Sequence, residues 1–245
     1  MSRLGLIGKK IDYSFSRGYF NKKFELENLP FSYENFDLES ISEFQLLLEN
    51  NANIVAFNVT IPYKEKIMPY LSEIDETAKV IGAVNTIKVL ENGKLKGFNT
   101  DYYGFKKSIS PFLKSHHKQA LILGTGGASK AVAYALKQLN IDFHYVSRAK
   151  KPHVKYTYDS LTSEILDQHQ IIINCTPLGT FPNIELHPVI PYHAINDRHL
   201  LFDLIYNPSE TTFLKKGKSQ GAAICNGSDM LKYQAELAWE IWDLI

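Results

Sequence analysis

Cysteine is scarce in this chain: 245 residues hold only two, Cys175 and Cys225. Two cysteines cannot build a disulfide framework, so both are expected as thiols in a reducing compartment. Net charge is nearly absent as well. Lys and Arg number 27 against 26 Asp and Glu, a balance of +1. Such a chain has no overall electrostatic attraction for DNA, RNA or anionic lipid, so neither nucleic acid nor membrane is expected as a partner. No apolar run approaches the roughly 18 residues that suggest a membrane span. The first ten residues reach Lys9 and Lys10 before any apolar signal-peptide region forms, so a cytoplasmic location is expected. Metal-ligand spacing is also missing. His187, His193 and His199 recur at six-residue intervals, which fits neither one helix face nor a zinc pattern. The adjacent His116 and His117 would point apart on a helix. No metal is expected.

What is present reads as an α/β protein. Hydrophobic residues make up 44% and charged residues 22%, which excludes wholesale disorder. Leu4 to Ile7, Phe31 to Phe36 and Ile54 to Val59 read as buried strands. Helical patterns over Phe15 to Glu27 and Ser40 to Glu49 separate them, the second with the capping-box pair Ser40 and Glu43. This order argues for a mainly parallel sheet. Thr86 to Leu90 and Leu95 to Phe98 flank Asn92-Gly93, a hairpin signal. A second α/β series starts near Lys118, with strands at Ala120 to Leu123, Asp142 to Val146, Ile171 to Asn174, Leu200 to Asp203 and Ala222 to Cys225. A helix over Asp229 to Leu244 closes the chain. The boundary between the series is placed at the helix starting near Asp101.

Gly124-Thr125-Gly126-Gly127-Ala128 lies between a strand and a helix, where a dinucleotide pyrophosphate meets a helix N-terminus. Ser129 stands where the generic fingerprint has its third glycine. The plain alternative is a tight turn that binds nothing. The next strand ends Ser147-Arg148, with no acid to accept from a ribose 2′-hydroxyl. Arg148, followed by Lys150 and Lys151, suits the 2′-phosphate of NADP instead. The alternative there is a solvated basic turn.

Polar residues collect at strand ends in the first half, where open α/β sheets bind ligands. Asn58, Thr60 and Lys64 follow one strand, and a lysine there can transfer a proton. Asn85 can donate to and accept from a hydroxyl. Asp101 is a candidate helix N-cap and a candidate carboxylate partner for Lys64. Ser14 and Ser16 suit a carboxylate or a helix cap. Gln234 is the polar member of an otherwise apolar stripe formed with Met230, Leu237, Ala238 and Ile241, so it bonds buried backbone or faces a ligand.

Taken in order, the segments Asn58 to Lys64, Gly82 to Thr86, Gly97 to Asp101, Gly124 to Ala128, Asn174 to Gly179 and Asp203 to Pro208, with the Gln234 helix, resemble the NADP-dependent shikimate dehydrogenase family over nearly the whole chain. The resemblance implies a substrate-binding domain over 1–100, a Rossmann NADP-binding domain over 101–225, and a terminal helix over 226–245 packing back on the first domain. It implies NADPH-dependent, reversible reduction of 3-dehydroshikimate to shikimate, a step towards chorismate and the aromatic amino acids, by a monomer or homodimer. Lys64 and Asp101 match the family's catalytic pair. Ser14, Ser16, Thr60, Asn85 and Gln234 match its substrate contacts. Gly124, Gly126, Gly127, Ala128, Ser147, Arg148, Thr176, Tyr206 and Gly227 fall at its NADP positions.

Three positions depart from the family pattern. Tyr13 replaces a usual His, Ser147 a usual Asn, and Asp229 a common glycine, where it is expected to cap the last helix. Two rival functions remain open at this level. One is an NAD-using quinate/shikimate dehydrogenase, against which Arg148 argues. The other is a non-catalytic NADP-binding sensor, against which Lys64 and Asp101 argue.

Overall fold

The computed structural model describes residues 2–11 and 14–244; the Tyr13 departure lies outside the described residues. The chain divides into two compact units, Met1–Thr100 with Ala235–Ile245, and Asp101–Gln234.

The first unit runs β1 (Ser2–Gly8), α1 (Phe15–Leu26), β2 (Phe31–Asp37), α2 (Phe44–Glu49), β3 (Ile54–Val59), β4 (Glu73–Ile74), α3 (Glu76–Ile81), β5 (Thr86–Val89) and β6 (Leu95–Phe98). Its sheet has the order β2-β1-β3-β5-β6-β4. The pairs β1–β2, β1–β3 and β4–β6 are parallel, while β3–β5 and β5–β6 are antiparallel. The antiparallel part is the hairpin expected from Asn92-Gly93. Gly93 takes φ +76°, open to glycine without a Cβ penalty, and Asn92 Oδ1 accepts from Lys94 N–H. The Ser40–Glu43 capping box forms as expected, but it caps a 3₁₀ turn over Ile41–Glu43 that leads into α2. Sequence reading passes over β4 and α3, two and six residues long, because neither is long enough to show a period.

Aromatic packing covers one face of this sheet. Phe20 stacks on Tyr33 with centroids 4.9 Å apart and meets Trp242 at 5.1 Å. Trp242 is wholly buried, and its indole N–H donates to Ile87 O at 3.1 Å. Ala235 and Ala238 join the same cluster, and Phe57, Phe44 and Ile67 form the core of the opposite face.

The second unit runs α4 (Asp101–Ile109), β7 (Gln119–Leu123), α5 (Gly127–Gln138), β8 (Asp142–Ser147), β9 (Val154–Thr157), α6 (Ser163–Gln168), β10 (Ile171–Asn174), β11 (Leu200–Asp203), α7 (Thr212–Ser219), β12 (Ala223–Cys225) and α8 (Ser228–Trp242). The unit boundary falls inside α8, between Gln234 and Ala235. Its sheet is parallel throughout, in the order β12-β11-β10-β7-β8-β9. Counted along the chain from β7, that is the doubly wound dinucleotide-binding order, which reverses between β7 and β10. Strands β7, β10 and β11 are buried on both faces, hence their unbroken Leu, Ile and Phe runs. Helices α4 and α5 cover one face, and α6 and α7 the other. The fold is therefore α/β with two sheets, as the sequence led us to expect.

Candidate active site

Strand β3 ends at Val59, and Thr60 and Lys64 follow it, both half-buried. Thr60 N–H donates to Ile7 O at 2.8 Å, and Val84 N–H donates to Lys64 O at 2.8 Å, so the backbone around both side chains is fixed. Asn85 is 2% exposed and sits in a polar cluster. Its Oδ1 accepts from Thr100 N–H at 2.7 Å, and its Nδ2 donates to Thr100 Oγ1 at 3.0 Å. Asn58 belongs to the same interior. It accepts from the Tyr33 hydroxyl at 2.7 Å and donates to Asn85 O at 3.2 Å. These bonds fasten β3 to β2 and to the turn before β5.

Ser14 takes the capping alternative. It is the N-cap of α1, accepting from Arg17 N–H, and its hydroxyl donates to Asn35 Oδ1 at 2.9 Å. Ser16 lies buried in the first turn and hydrogen-bonds Tyr33. Full burial pushes the Tyr33 phenol well up, so it acts as a neutral hydrogen-bonding group.

Lys64 belongs to the first unit, and Asp101 opens the second as the first residue of α4. Asp101 thus sits inside the first helical turn rather than at the cap, where a carboxylate still complements the helix dipole. Gln234 is also buried in the second unit, and its Nε2 donates to Leu231 O at 2.9 Å. Gly104 of α4 passes so close to α8 that a Cβ there would lie 2.4 Å from Met230 O.

The glycine turn follows β7. Gly124 takes φ +103°, where an L side chain is strained, and a Cβ on it would approach Thr176 Cγ2 to 3.1 Å. Thr176 follows β10, so the turn and Thr176 meet at the point where the strand order reverses. Gly126 is the N-cap of α5 and offers no side-chain cap. Helix N-termini present unpaired N–H groups and partial positive charge. A Cβ on Gly126 would touch nothing within 4 Å, and its φ is an ordinary −82°. The protein's own packing does not require glycine there, whereas close approach of a phosphate does. Gly127 and Ala128 continue into the half-buried first turn of α5, and Ser129 hydrogen-bonds Gly126 O at 2.7 Å.

Ser147 ends β8, and Arg148 follows it, exposed. No acidic side chain stands at that strand end. Lys151 returns over the turn to donate to Thr125 Oγ1 at 3.0 Å, a contact that sequence spacing does not reveal. Uncapped N–H groups, open space at Gly126 and cations on the β8 side together fit NADP.

Tyr206 and Gly227 lie beyond β11 and β12. Gly227 N–H donates to Ile205 O at 3.1 Å, and a Cβ on Gly227 would lie 2.1 Å from Leu204 O. Glycine is required here by the backbone itself. Asp229 is exposed in the first turn of α8, which begins at Ser228, so it lies two residues past the cap position; Asn226 Oδ1 accepts from Ser228 N–H at the helix start.

His116, His117 and His199 bond to backbone carbonyls. His116 and His117 lie in a turn, not a helix, and their rings converge on Arg198 O at 3.0 and 3.1 Å. His199 is buried with Nε2 on Leu166 O at 3.1 Å, and burial pushes it down.

Known proteins match over both units. A model of the shikimate dehydrogenase substrate binding domain matches residues 6–87. A Clostridium botulinum (strain Hall) protein named shikimate dehydrogenase (NADP(+)) is 42% identical over 254 residues, spanning 100% of this chain and 97% of its own. A crystal structure of a shikimate dehydrogenase in complex with NADP+ superposes with a TM-score of 0.87 at 36% identity, covering 100% of this chain and 91% of that one. The Thermus thermophilus shikimate 5-dehydrogenase, in complex with NADP(H) and shikimate, superposes with a TM-score of 0.88 at 28% identity, covering 100% and 94%. By these matches the chain belongs to the shikimate dehydrogenase family.

Proposed function

We propose that this chain is an NADP-dependent shikimate dehydrogenase, reversibly reducing 3-dehydroshikimate to shikimate in chorismate biosynthesis. The observation that carries the reading is 42% identity in an alignment spanning the whole chain, with Lys64 and Asp101 both present.

Bound NADPH supplies the hydride that converts the ring carbonyl into an alkoxide. The residues of the chain do the rest. Lys64 Nζ donates a proton to that oxygen and takes one back in the oxidative direction. Its positive charge also stabilises the developing negative charge. Asp101 orients the ammonium group and accepts from the neighbouring substrate hydroxyl. Ser14 and Ser16 donate to the substrate carboxylate. For Ser14 this means turning its hydroxyl hydrogen away from Asn35. Thr60, Asn85 and Gln234 hold the ring hydroxyls.

On the cofactor side, the N–H groups from Gly126 to Ala128 hold the pyrophosphate, and Gly124 lets the turn pass Thr176. Ser147 and Arg148 hold the 2′-phosphate. Thr176, Tyr206 and Gly227 border the nicotinamide half. Free thiols at Cys175 and Cys225 suit the cytoplasm.

The test is shikimate-dependent reduction of NADP+ and of NAD+, side by side, for wild type and Lys64→Ala. Wild type is expected to prefer NADP+, and the variant to lose about 10²–10⁴-fold in kcat, the range for a positioned acid–base group. A preference for NAD+ points to the quinate/shikimate type of enzyme. NADPH binding without turnover sinks the enzyme reading in favour of a sensor.

A further inference from the structure

Asn174 and Asp203 are register partners at the C-terminal ends of β10 and β11, and neither is exposed at all. Asn174 Nδ2 donates to Asp203 Oδ1 at 3.0 Å. From this pair, hydrogen bonds run out to both loops that leave the sheet here. On the β10 side, Asn174 Oδ1 accepts from Thr176 N–H at 3.0 Å and from Thr176 Oγ1 at 2.6 Å. On the β11 side, Asp203 Oδ1 accepts from Ile205 N–H at 3.0 Å, and Oδ2 accepts from Thr211 Oγ1 at 2.6 Å. Ile205 immediately precedes Tyr206, and Ile205 O accepts from Gly227 N–H.

We propose that Asp203 is a positioning residue for the reaction: its buried carboxylate ties the Thr176 loop to the Tyr206 loop and fixes the nicotinamide side of the site. The proposal rests on the assignment of Thr176 and Tyr206 to the cofactor.

Three donors converge on the two oxygens, which suits an ionised acceptor. Protonation puts a hydrogen on Oδ2 or Oδ1 and sets it against one of those donors. If Oδ2 carries the proton, its hydrogen bond from Thr211 Oγ1 weakens or reverses. The titratable groups facing Asp203 are Cys175, from the segment after β10, and Tyr192, from the turn before β11. Burial pushes both up, so they stay neutral while Asp203 titrates.

Burial raises the Asp203 carboxyl from 3.8 to about 6. A folded state that holds the proton more tightly than the unfolded chain is stabilised by it. That stabilisation is full below pH 3.8 and is lost as pH rises through about 6. Ionisation therefore works against stability, while the proposal makes it favourable for cofactor use. A merely structural role would move stability and activity together.

The experiment is steady-state kinetics of Asp203→Asn with NADP+ and shikimate from pH 5 to 9, alongside thermal unfolding. The expected result is a rise in KM for NADP+ of about tenfold, the loss of one hydrogen bond to a charged group. KM for shikimate should change less than KM for NADP+. The wild-type acid limb in kcat/KM for NADP+, near pH 6, should vanish in the variant. Thr211→Val, which removes the donor to Oδ2 together with the hydroxyl that accepts from Leu214 N–H at the start of α7, should move KM in the same direction by less and stands in if Asp203→Asn fails to fold. Wild-type kinetics in these variants, or an acid limb that persists in Asp203→Asn, overturns the proposal. Thr176→Ala and Tyr206→Phe separate the two layers. If they leave NADP+ parameters unchanged, the loop assignment fails and takes the proposal with it. If they impair NADP+ use while the Asp203 variants do not, the inference alone fails.

Discussion

The two units treat the polar groups at their strand ends in opposite ways. In the first unit, Asn58, Asn85, Thr100 and Tyr33 are joined by hydrogen bonds, and the strand ends carry a side-chain-built network. In the second, the glycine turn leaves α5 without a side-chain cap and leaves open space at Gly126. One unit presents a rigid frame of side chains from which Thr60 and Lys64 extend. The other presents backbone N–H groups without a side-chain cap, open to an anion. The difference follows from the ligands proposed: ring hydroxyls require donors and acceptors of fixed direction, whereas a phosphate is satisfied by any converging set of N–H groups.

Four substitutions probe that contrast. The largest effect belongs to the first unit. Trp242→Ala removes a wholly buried indole and its bond to Ile87 O, and should cost about 3–5 kcal/mol in urea unfolding. On the open side, Gly126→Val should leave the unfolding midpoint close to wild type, because a Cβ there meets nothing. The same change should cost on the order of 100-fold in NADP+ affinity by displacing the pyrophosphate, measured by calorimetric titration. Equal losses of stability at Gly126 and Trp242 would erase the contrast. The smallest effects sharpen it within the cofactor side. Arg148→Ala should raise KM for NADP+ by about tenfold and leave NAD+ unchanged, as expected for one charge-assisted contact to the 2′-phosphate. Lys151→Gln should change KM for NADP+ by only about twofold to fivefold, since an exposed cation contributes about 1 kcal/mol or less.

Much of this was legible in the sequence, for identifiable reasons. Strands β10 and β11 coincide with unbroken apolar runs that end in polar residues, so their limits could be placed to the residue. Helix α5 announces itself through glycines followed by an apolar stripe. Strand β9 and helices α6 and α7 did not stand out, being four, six and eight residues long and largely polar on their outer faces. Site residues divide along the same line. Ser14, Lys64 and Arg148 could be singled out by their chemistry at strand and helix ends. Asp203 could not be assigned its hydrogen bonds, because they depend on register with Asn174, a long-range pairing that no local pattern encodes. The Lys151–Thr125 contact was hidden in the same way, its partners 26 positions apart.

Helix α8 gives residues to both units, and this has a consequence for how the chain is made. The first unit is discontinuous: Ala235, Ala238 and Trp242, which complete its aromatic face, are synthesised after the entire second unit. A nascent chain on the ribosome therefore carries Phe20, Phe24 and Tyr33 without their cover until translation passes Trp242. The second unit, contiguous from Asp101 to Gln234, has all its strands beforehand and is expected to fold first. A stalled or nicked chain lacking the last dozen residues would leave that aromatic face exposed, a surface that chaperones bind and that drives self-association.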